Sequence, residues 1–336
     1  VIAETDGTNP DDSAYATGLF IDGSVAGSVS SAGLIDVFAS AQSGPASAMG
    51  MYIRSNISSG GDVTNSGTLL VEAFSDFANA VASGQFVEGS VSGFSLHNTG
   101  KMEVTVDSNL QATAHGQRVD GTVFGLVSNS GSLLISAISD NFIGSAFGQD
   151  IDSVSGTGRV ENTGLIDVYA EGDSYAYAIG MEIGPAAFGS EIRNSGMIMA
   201  EAMQGVNGGQ AYGIYIDDLD GTFFNTGDII ARNDADPSEA FAIFVNDGGG
   251  SVELDTGSFI EGRIRNVSDS TFVNRSAGGS IAWTIEGSST VIAPNGDIPL
   301  FMSGDTVLTY DASAFAASGG ALADLASVGS DALHAN

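Results

Sequence analysis

The sequence contains no cysteine among its 336 residues, so disulfides and thiolate metal sites are excluded. It has only 9 Lys and Arg residues against 41 Asp and Glu, which gives a net charge of -32. A nucleic-acid partner is therefore excluded, because phosphate contacts require a basic surface. No apolar run reaches the roughly 18 residues of a membrane-spanning helix.

Proline is rare, with 6 residues, whereas glycine is abundant, with 47. This composition disfavours long helices and favours strands separated by tight turns. The 3 histidines are scattered, no Ser-His-Asp order stands out, and the basic residues do not cluster. The sequence therefore predicts a protein that is not an enzyme.

A short phrase, Asn-Ser/Thr-Gly, recurs at intervals of 33, 31, 33, 32 and 31 residues. Degenerate copies extend the series at Ser31-Ala32-Gly33 and at Asp255-Thr256-Gly257. The asparagines of the six full copies are Asn65, Asn98, Asn129, Asn162, Asn194 and Asn225. Self-similarity at this period indicates a repeat architecture in which each unit stacks on the next.

Three strand-like segments recur in each unit. The first follows the glycine and begins an apolar column of Ile35, Leu69, Met102, Leu133, Ile166, Ile198, Ile229 and Phe259. The second has the form Ala-x-Gly-x-x-Ile/Val, and the third leads into the next Asn-Thr-Gly. This pattern predicts an all-β fold, a right-handed parallel β-helix (β-solenoid) of about nine coils, with three strands per coil of about 32 residues.

The stacking predicts what the recurring residues do. The asparagines are expected to form an amide ladder, and the glycines of the phrase are expected to take a positive-φ corner. The alanine and glycine columns of the second strand fit either a narrow part of the core or a flat outer strip. Gln85, Gln117 and Gln149 fit either a buried amide ladder or a glycan-binding stripe.

The corner after the second strand is acidic in five coils, at Asp22, Glu88, Asp120, Asp152 and Asp217. Stacked carboxylates repel one another, so bound cations are one interpretation, with Asp217, Asp218 and Asp220 as the candidate Ca²⁺ ligands. The other interpretation is that Asp-Gly is turn chemistry on a solvated edge. Calcium is the only cofactor that the sequence predicts.

The last 75 or so residues resemble the end of autotransporter passengers, surface proteins exported through their own outer-membrane β-barrel. The matching features are a module around Ile264–Leu308, the phrase GDTVLTYDASAFA and the phrase ALADLASVGSDAL. The repeats are predicted to occupy 1–262, and the resemblance implies a capping module over 263–310 and a short linker helix over 311–336. It also implies a Gram-negative cell-surface or extracellular location, with the precursor's own barrel as a partner.

The chain ends carry further expectations. Val1 would fall inside a first strand, and Asn336 inside the linker helix, as in a processed fragment of a longer passenger. An uncovered first coil invites pairing with another chain, so head-to-tail or edge association is expected.

Taken together, these features predict a structural or adhesive surface protein that self-associates or contacts a surface glycan or protein. The alternatives are a β-helix enzyme or binding protein that acts on polysaccharide, and a fibre segment that trimerises.

Overall fold

The computed structural model describes residues 1–5, 12–93, 95–204, 208–255, 258–274, 284–287, 290–292 and 301–302. They form a parallel β-solenoid of about eight turns of roughly 32 residues. Each strand pairs in parallel with its equivalents one coil before and one coil after, as Ile166 does with Leu133 and Ile198. The predicted all-β repeat fold with three strands per coil is confirmed.

The three strands of each coil contribute to three separate sheets. The first sheet contains Ile2–Thr5, Leu34–Ala41, Thr68–Ser75, Lys101–Ser108, Ser132–Ser139, Leu165–Gly172, Met197–Gln204, Asp228–Asn233 and Ile260–Glu261. The second sheet contains Ala14–Ile21, Ala46–Ile53, Ala80–Val87, Gln111–Val123, Ile143–Val154, Tyr175–Ile183, Gly209–Asp218, Ala240–Asp247, Arg263–Asn266, Thr284–Gly287 and Phe301–Met302. The third sheet contains Ser28–Ser31, Asp62–Asn65, Ser95–Asn98, Leu126–Asn129, Arg159–Asn162, Glu191–Asn194, Thr222–Asn225, Ser251–Leu254, Thr271–Asn274 and Thr290–Ile292.

Within the described residues, the one helical segment is a 3₁₀ turn at Pro237–Glu239. No described helix has the length and apolar character needed to cross a membrane.

The core is a single apolar column that runs through the stacked coils from Ala14 to Phe272. Strands of all three sheets supply it with alternate residues, such as Val168 in the first sheet and Ile183 in the second, both fully buried. No single coil could bury these side chains, so each coil depends on its neighbours for its interior.

The alanine columns of the second strand belong to this core. Ala48, Ala82 and Ala114 are all buried, as are the neighbouring glycines. A Cβ placed on Gly50 would lie 2.6 Å from the carbonyl oxygen of Gly84 and 3.0 Å from Val71 of the first sheet. Second-sheet strands of successive coils and the first sheet approach so closely here that only small residues fit. The alanine and glycine columns therefore form a narrow part of the core and not an outer strip.

The expectation that the glycines of the Asn-Ser/Thr-Gly phrase take positive φ is wrong. Among the described residues, the positive-φ glycines are Gly60, Gly189, Gly208, Gly248 and Gly262, and none belongs to the phrase. Instead, a Cβ on Gly131 would overlap the carbonyl oxygen of Gly100, and the same clash recurs in the neighbouring coils. Close approach of backbone to backbone, and not backbone conformation, requires glycine at this corner.

The predicted alignment after Asn225 is also wrong. Leu254, not Asp255, pairs with Asn225, and Ile260, not Phe259, pairs with Ile229. Ile229 lies four residues after Asn225, whereas Ile260 lies six residues after Leu254, so this coil has two additional residues at its corner. Phe259 is consequently 54% exposed instead of packed in the core.

Parallel stacking continues into the predicted capping segment 263–310. Arg263–Asn266 and Thr284–Gly287 extend the second sheet, and Thr271–Asn274 extends the third. The predicted linker helix over 311–336 lies outside the described residues.

We expect Gly131→Ala to lower the free energy of unfolding by roughly 1–3 kcal/mol, the usual cost of overpacking. Gly33→Ala is the matched control, because at the same corner three coils earlier an added Cβ has no atom within 4 Å. The control is expected to change stability by less than about 0.5 kcal/mol. Denaturant midpoints of the two variants measure the difference, and equal shifts would refute the steric explanation.

Candidate functional site

The six predicted ladder asparagines lie at the end of the third strands, facing the interior. The first five each donate Nδ2–H to Oδ1 of the asparagine one coil further on, at 2.8–2.9 Å, and the last, Asn225, donates to the carbonyl of Gly227. All six are buried, namely Asn65, Asn98, Asn129, Asn162, Asn194 and Asn225. The ladder satisfies amides at the tight corner inside the solenoid, so it is not a surface for ligands.

Gln85, Gln117 and Gln149 form a second internal ladder, on the inner face of the second sheet. Gln117 donates to Gln85 and Gln149 donates to Gln117, both at 2.8 Å. All three are fully buried, which removes the alternative of a glycan-binding stripe. Oε1 of Gln149 has no hydrogen-bond partner, because Met181 occupies this position in the next coil.

The acidic corner column stands at the outer end of the second strands. Most of its members contact a side chain one coil away or on the same strand, namely Arg54 for Asp22, the Tyr52 hydroxyl for Glu88, Arg118 for Asp120 and Asn246 for Asp217. These contacts relieve the repulsion between stacked carboxylates without requiring a bound cation.

Two of the three candidate calcium ligands accept hydrogen bonds from separate partners. Asp217 accepts a hydrogen bond from Asn246 at 3.1 Å, and Asp220 accepts one from the Gly249 amide at 3.2 Å. Burial and the carboxylates of Asp220, Asp247 and Asp217 raise the pKa of Asp218. Among the described residues, no three His, Asp or Glu side chains are grouped as metal ligands, so calcium binding stays a prediction.

The outer face of the second sheet brings together residues that the repeat analysis did not single out. Strand register places one side chain from each coil in a continuous row, which we call the outer ladder. Its members are Phe20, Tyr52, Phe86, Arg118, Asp150, Glu182, Tyr215, Phe244, Arg265 and Glu286. All occupy the variable position just before the Ile/Val of the Ala-x-Gly-x-x-Ile/Val segment, or its equivalent after the repeat degrades.

The outer ladder has an aromatic stack on each side of a charged centre. Tyr52 and Phe86 stack with ring centroids 5.2 Å apart at an interplanar angle of 6°. On the other side, Tyr215 and Phe244 stack at 5.4 Å and 15°. The guanidinium of Arg118 lies 5.1 Å from the centre of the Phe86 ring, which joins the first stack to the charged centre.

A second outward column flanks this ladder. The ring of His115 stacks on Phe147 at 4.8 Å and 9°, and Tyr212 stacks on Phe241 at 5.4 Å. Ile179, Tyr212 and Phe241 are almost completely buried although they face away from the solenoid interior. The face is therefore broad, with aromatic side chains two columns wide.

Four side chains form the charged centre: His115, Arg118, Asp150 and Glu182. Nδ1 of His115 lies 3.0 Å from Oδ2 of Asp150 but without hydrogen-bond geometry, and Nε of Arg118 lies 3.7 Å from the same oxygen. Glu182 is the next rung after Asp150. Burial first, and then the Asp150 and Asp217 carboxylates, raise the pKa of Glu182 to about 7.

Comparison of the chain with protein-family models, curated proteins and solved structures found no match. The chemistry of the outer ladder therefore has to be judged from its own residues. Flat aromatic faces pack against apolar C–H surfaces, and flanking carboxyl and guanidinium groups bind hydroxyls or amides. An extended polymer that has both kinds of surface fits a row of this kind.

We expect Glu182→Gln to stabilise the fold at about pH 8 by about 1–3 kcal/mol. Glu182 has a higher pKa in the folded chain than its ordinary 4.5, so the folded state binds more protons between pH 4.5 and 7. Stability conferred by this residue therefore falls as the pH rises through that window, and the amide removes the penalty. Below pH 4.5 the variant and the parent should converge.

Denaturant unfolding at the two pH extremes measures this effect. Glu72→Gln, an exposed acid on the first sheet, is the control for the loss of one charge from a highly acidic chain. The raised pKa of Glu182 would be contradicted if Glu182→Gln increased the free energy of unfolding equally at both pH values. It would also be contradicted if the increase equalled that of the control.

The predicted calcium site is tested by thermal unfolding with Ca²⁺ or Mg²⁺. A site of Asp217, Asp218 and Asp220 requires that Ca²⁺ raises the unfolding midpoint, because a ligand bound only by the folded state stabilises it. The shift should disappear in Asp218→Asn/Asp220→Asn and persist in Asp36→Asn, an exposed acid on the first sheet. An equal shift with Mg²⁺, or none with either ion, would count against the site.

Proposed function

We propose that this chain is a non-enzymatic adhesive rod of a Gram-negative cell surface that contacts extended glycans through the outer face of its second sheet. The observation that carries the proposal is the outer ladder, in which two aromatic stacks flank the charged centre along one straight row. The ladder lies on strands whose inner faces are packed in the core, so its side chains are preorganised for binding.

The geometry of the stack suits a polymer better than a small molecule. Consecutive coils are about 4.8 Å apart, so eight turns form a rod of about 40 Å along which the same kinds of contact recur. Each stacked ring contributes a small contact, and a long ligand adds the contacts of several rungs.

Charge narrows the class of glycan. The net charge of -32 repels acidic polysaccharides over the whole surface. Neutral or amino-sugar polymers are therefore the ligands of this proposal, with Asp150 and Glu182 as acceptors for hydroxyl or ammonium groups.

The route to the surface is part of the same proposal. Absence of cysteine and a parallel solenoid suit an autotransporter-like passenger, with 263–310 as its cap and 311–336 as a linker helix. The coil is proposed to be right-handed, since crossover connections between parallel strands of one sheet are right-handed in about 98% of cases. Self-association of rods would add avidity on a cell surface.

A glycan array probed with the purified chain tests the proposal. We expect binding to neutral or amino-sugar polymers and not to polyuronates. Tyr52→Ala/Tyr215→Ala should weaken that binding at least tenfold, whereas Phe124→Ala, an exposed ring at another corner, should leave it unchanged. The proposal would be rejected if Phe124→Ala weakened glycan binding as much as Tyr52→Ala/Tyr215→Ala does, or if the parent chain bound no glycan at all.

One observation favours a second function, cleavage of the polysaccharide. Asp150 and Glu182 are adjacent carboxyl groups, and the pKa of Glu182 is raised to about 7, as a general acid requires. Release of reducing ends by the parent chain, and its loss in Glu182→Gln with binding retained, would identify an enzyme.

A further inference from the structure

A second exposed surface lies at the corner between the first and second strands of three consecutive coils. Phe77, Leu110 and Phe142 project there, with exposed fractions of 66%, 38% and 55%. They follow the equivalent strand ends Ser75, Ser108 and Ser139, so they project from the same corner of successive coils. Leu110 and Phe142 are equivalent, because each backbone amide donates to the serine hydroxyl of its own coil. Phe77 directly precedes the equivalent residue of the first of these coils, Ala78. We call these three side chains the corner ridge.

Buried serines hold this corner in place. The hydroxyl of Ser108 donates to the carbonyl of Ala78 in the preceding coil at 2.6 Å and accepts from the Leu110 amide at 3.1 Å. Ser75 and Ser139 make the same pair of contacts in their own coils, Ser139 accepting from the Phe142 amide. These bonds fix the backbone of the corner from which the ridge side chains project.

Acidic side chains border the corner ridge. Asp76 and Asp140 directly follow the serine positions, and Asp107 directly precedes one of them. Strand register places Asp107 between Phe74 and Ile138, which are half-buried on the outer face of the first sheet. Burial and the carboxylates of Asp140 and Asp76 raise the pKa of Asp107, as expected for acids that crowd one another without a cation between them.

The cations of the described residues are engaged elsewhere. Arg265 lies over aromatic rings. The other described basic residues each form an ion pair with an acid remote from the ridge, namely Arg54, Lys101, Arg118, Arg159, Arg193, Arg232 and Arg263. In this part of the chain, none pairs with Asp76, Asp107 or Asp140. A basic partner would supply the positive charge that complements these acids.

We propose that the corner ridge binds a basic amphipathic helix of another protein. Apolar side chains one turn apart on a helix are about 5–6 Å apart, close to the coil spacing of about 4.8 Å. Lysines beside that apolar stripe would reach Asp76, Asp107 and Asp140, a contact that the acidic side chains of a second copy would not supply. The ridge is separate from the outer ladder, so this interaction does not depend on glycan binding.

The test is fluorescence anisotropy with a labelled Lys/Leu peptide whose leucines occupy one helical face. We expect it to bind at least tenfold more tightly than a scrambled peptide of the same composition. Phe77→Ser/Phe142→Ser should weaken binding at least tenfold, and Asp76→Asn/Asp140→Asn should weaken it and reduce its dependence on salt. Phe188→Ser, which removes an 88% exposed ring at a different corner, should have no effect.

Two results would overturn the proposal. Equal affinity for the scrambled peptide would show that the overall negative charge alone attracts basic chains. Unchanged affinity in Phe77→Ser/Phe142→Ser would show that the peptide binds elsewhere. Both phenylalanines are exposed, so matching unfolding midpoints of parent and variant establish that any loss of affinity is not loss of fold.

Discussion

Backbone pairing between successive coils, at about 4.8 Å, is the constraint on which the rest of this structure depends. In a parallel stack held in register, the nearest neighbour of each side chain is the residue at the same position one coil away. A residue that fits well at a position therefore fits equally well in the next coil. Valine and isoleucine fill the inner columns for this reason, and asparagine recurs where an amide can both donate and accept.

The same constraint explains the glycines. At the corner after the third strand, the backbone of one coil passes so close to the carbonyl of the previous coil that Gly131 has no room for a Cβ. In the second strand, each glycine lies against the backbone of the next coil on one side and against first-sheet side chains on the other, so a Cβ would not fit. Both columns are steric requirements of stacking, and neither requires an unusual backbone conformation.

Stacking is costly for charged residues, since it places like charges side by side, and the chain limits that cost in two ways. At the end of the second strands, carboxylates are interleaved with arginine, tyrosine or asparagine from neighbouring rungs. On the outer faces, acids alternate with aromatic or aliphatic rungs, as Asp107 does with Phe74 and Ile138. Burial and neighbouring carboxylates raise the pKa values of Asp107 and Glu182, which lie at the two surfaces proposed to bind partners.

Much of this fold follows from the sequence alone. The period of the Asn-Ser/Thr-Gly phrase and the alternation after it predict three parallel strands per coil, because inward positions repeat wherever coils must match. Asn129 and Gln117 are predictable as ladder residues for the same reason. The two additional residues before Ile260 escaped prediction, since a degenerate phrase allows the alignment to slip onto Phe259.

Only the tertiary structure decided which residues meet on the outside. Outward positions such as Glu182 and Phe142 do not have to match their neighbours, so they leave no periodic signal in the sequence. Their association arises when strands 32 or so residues apart become adjacent rungs, which brings Asp150 beside Glu182 and places Leu110 and Phe142 at the same corner. The repeat thus determines the interior by steric necessity, whereas the surfaces depend on how the coils align.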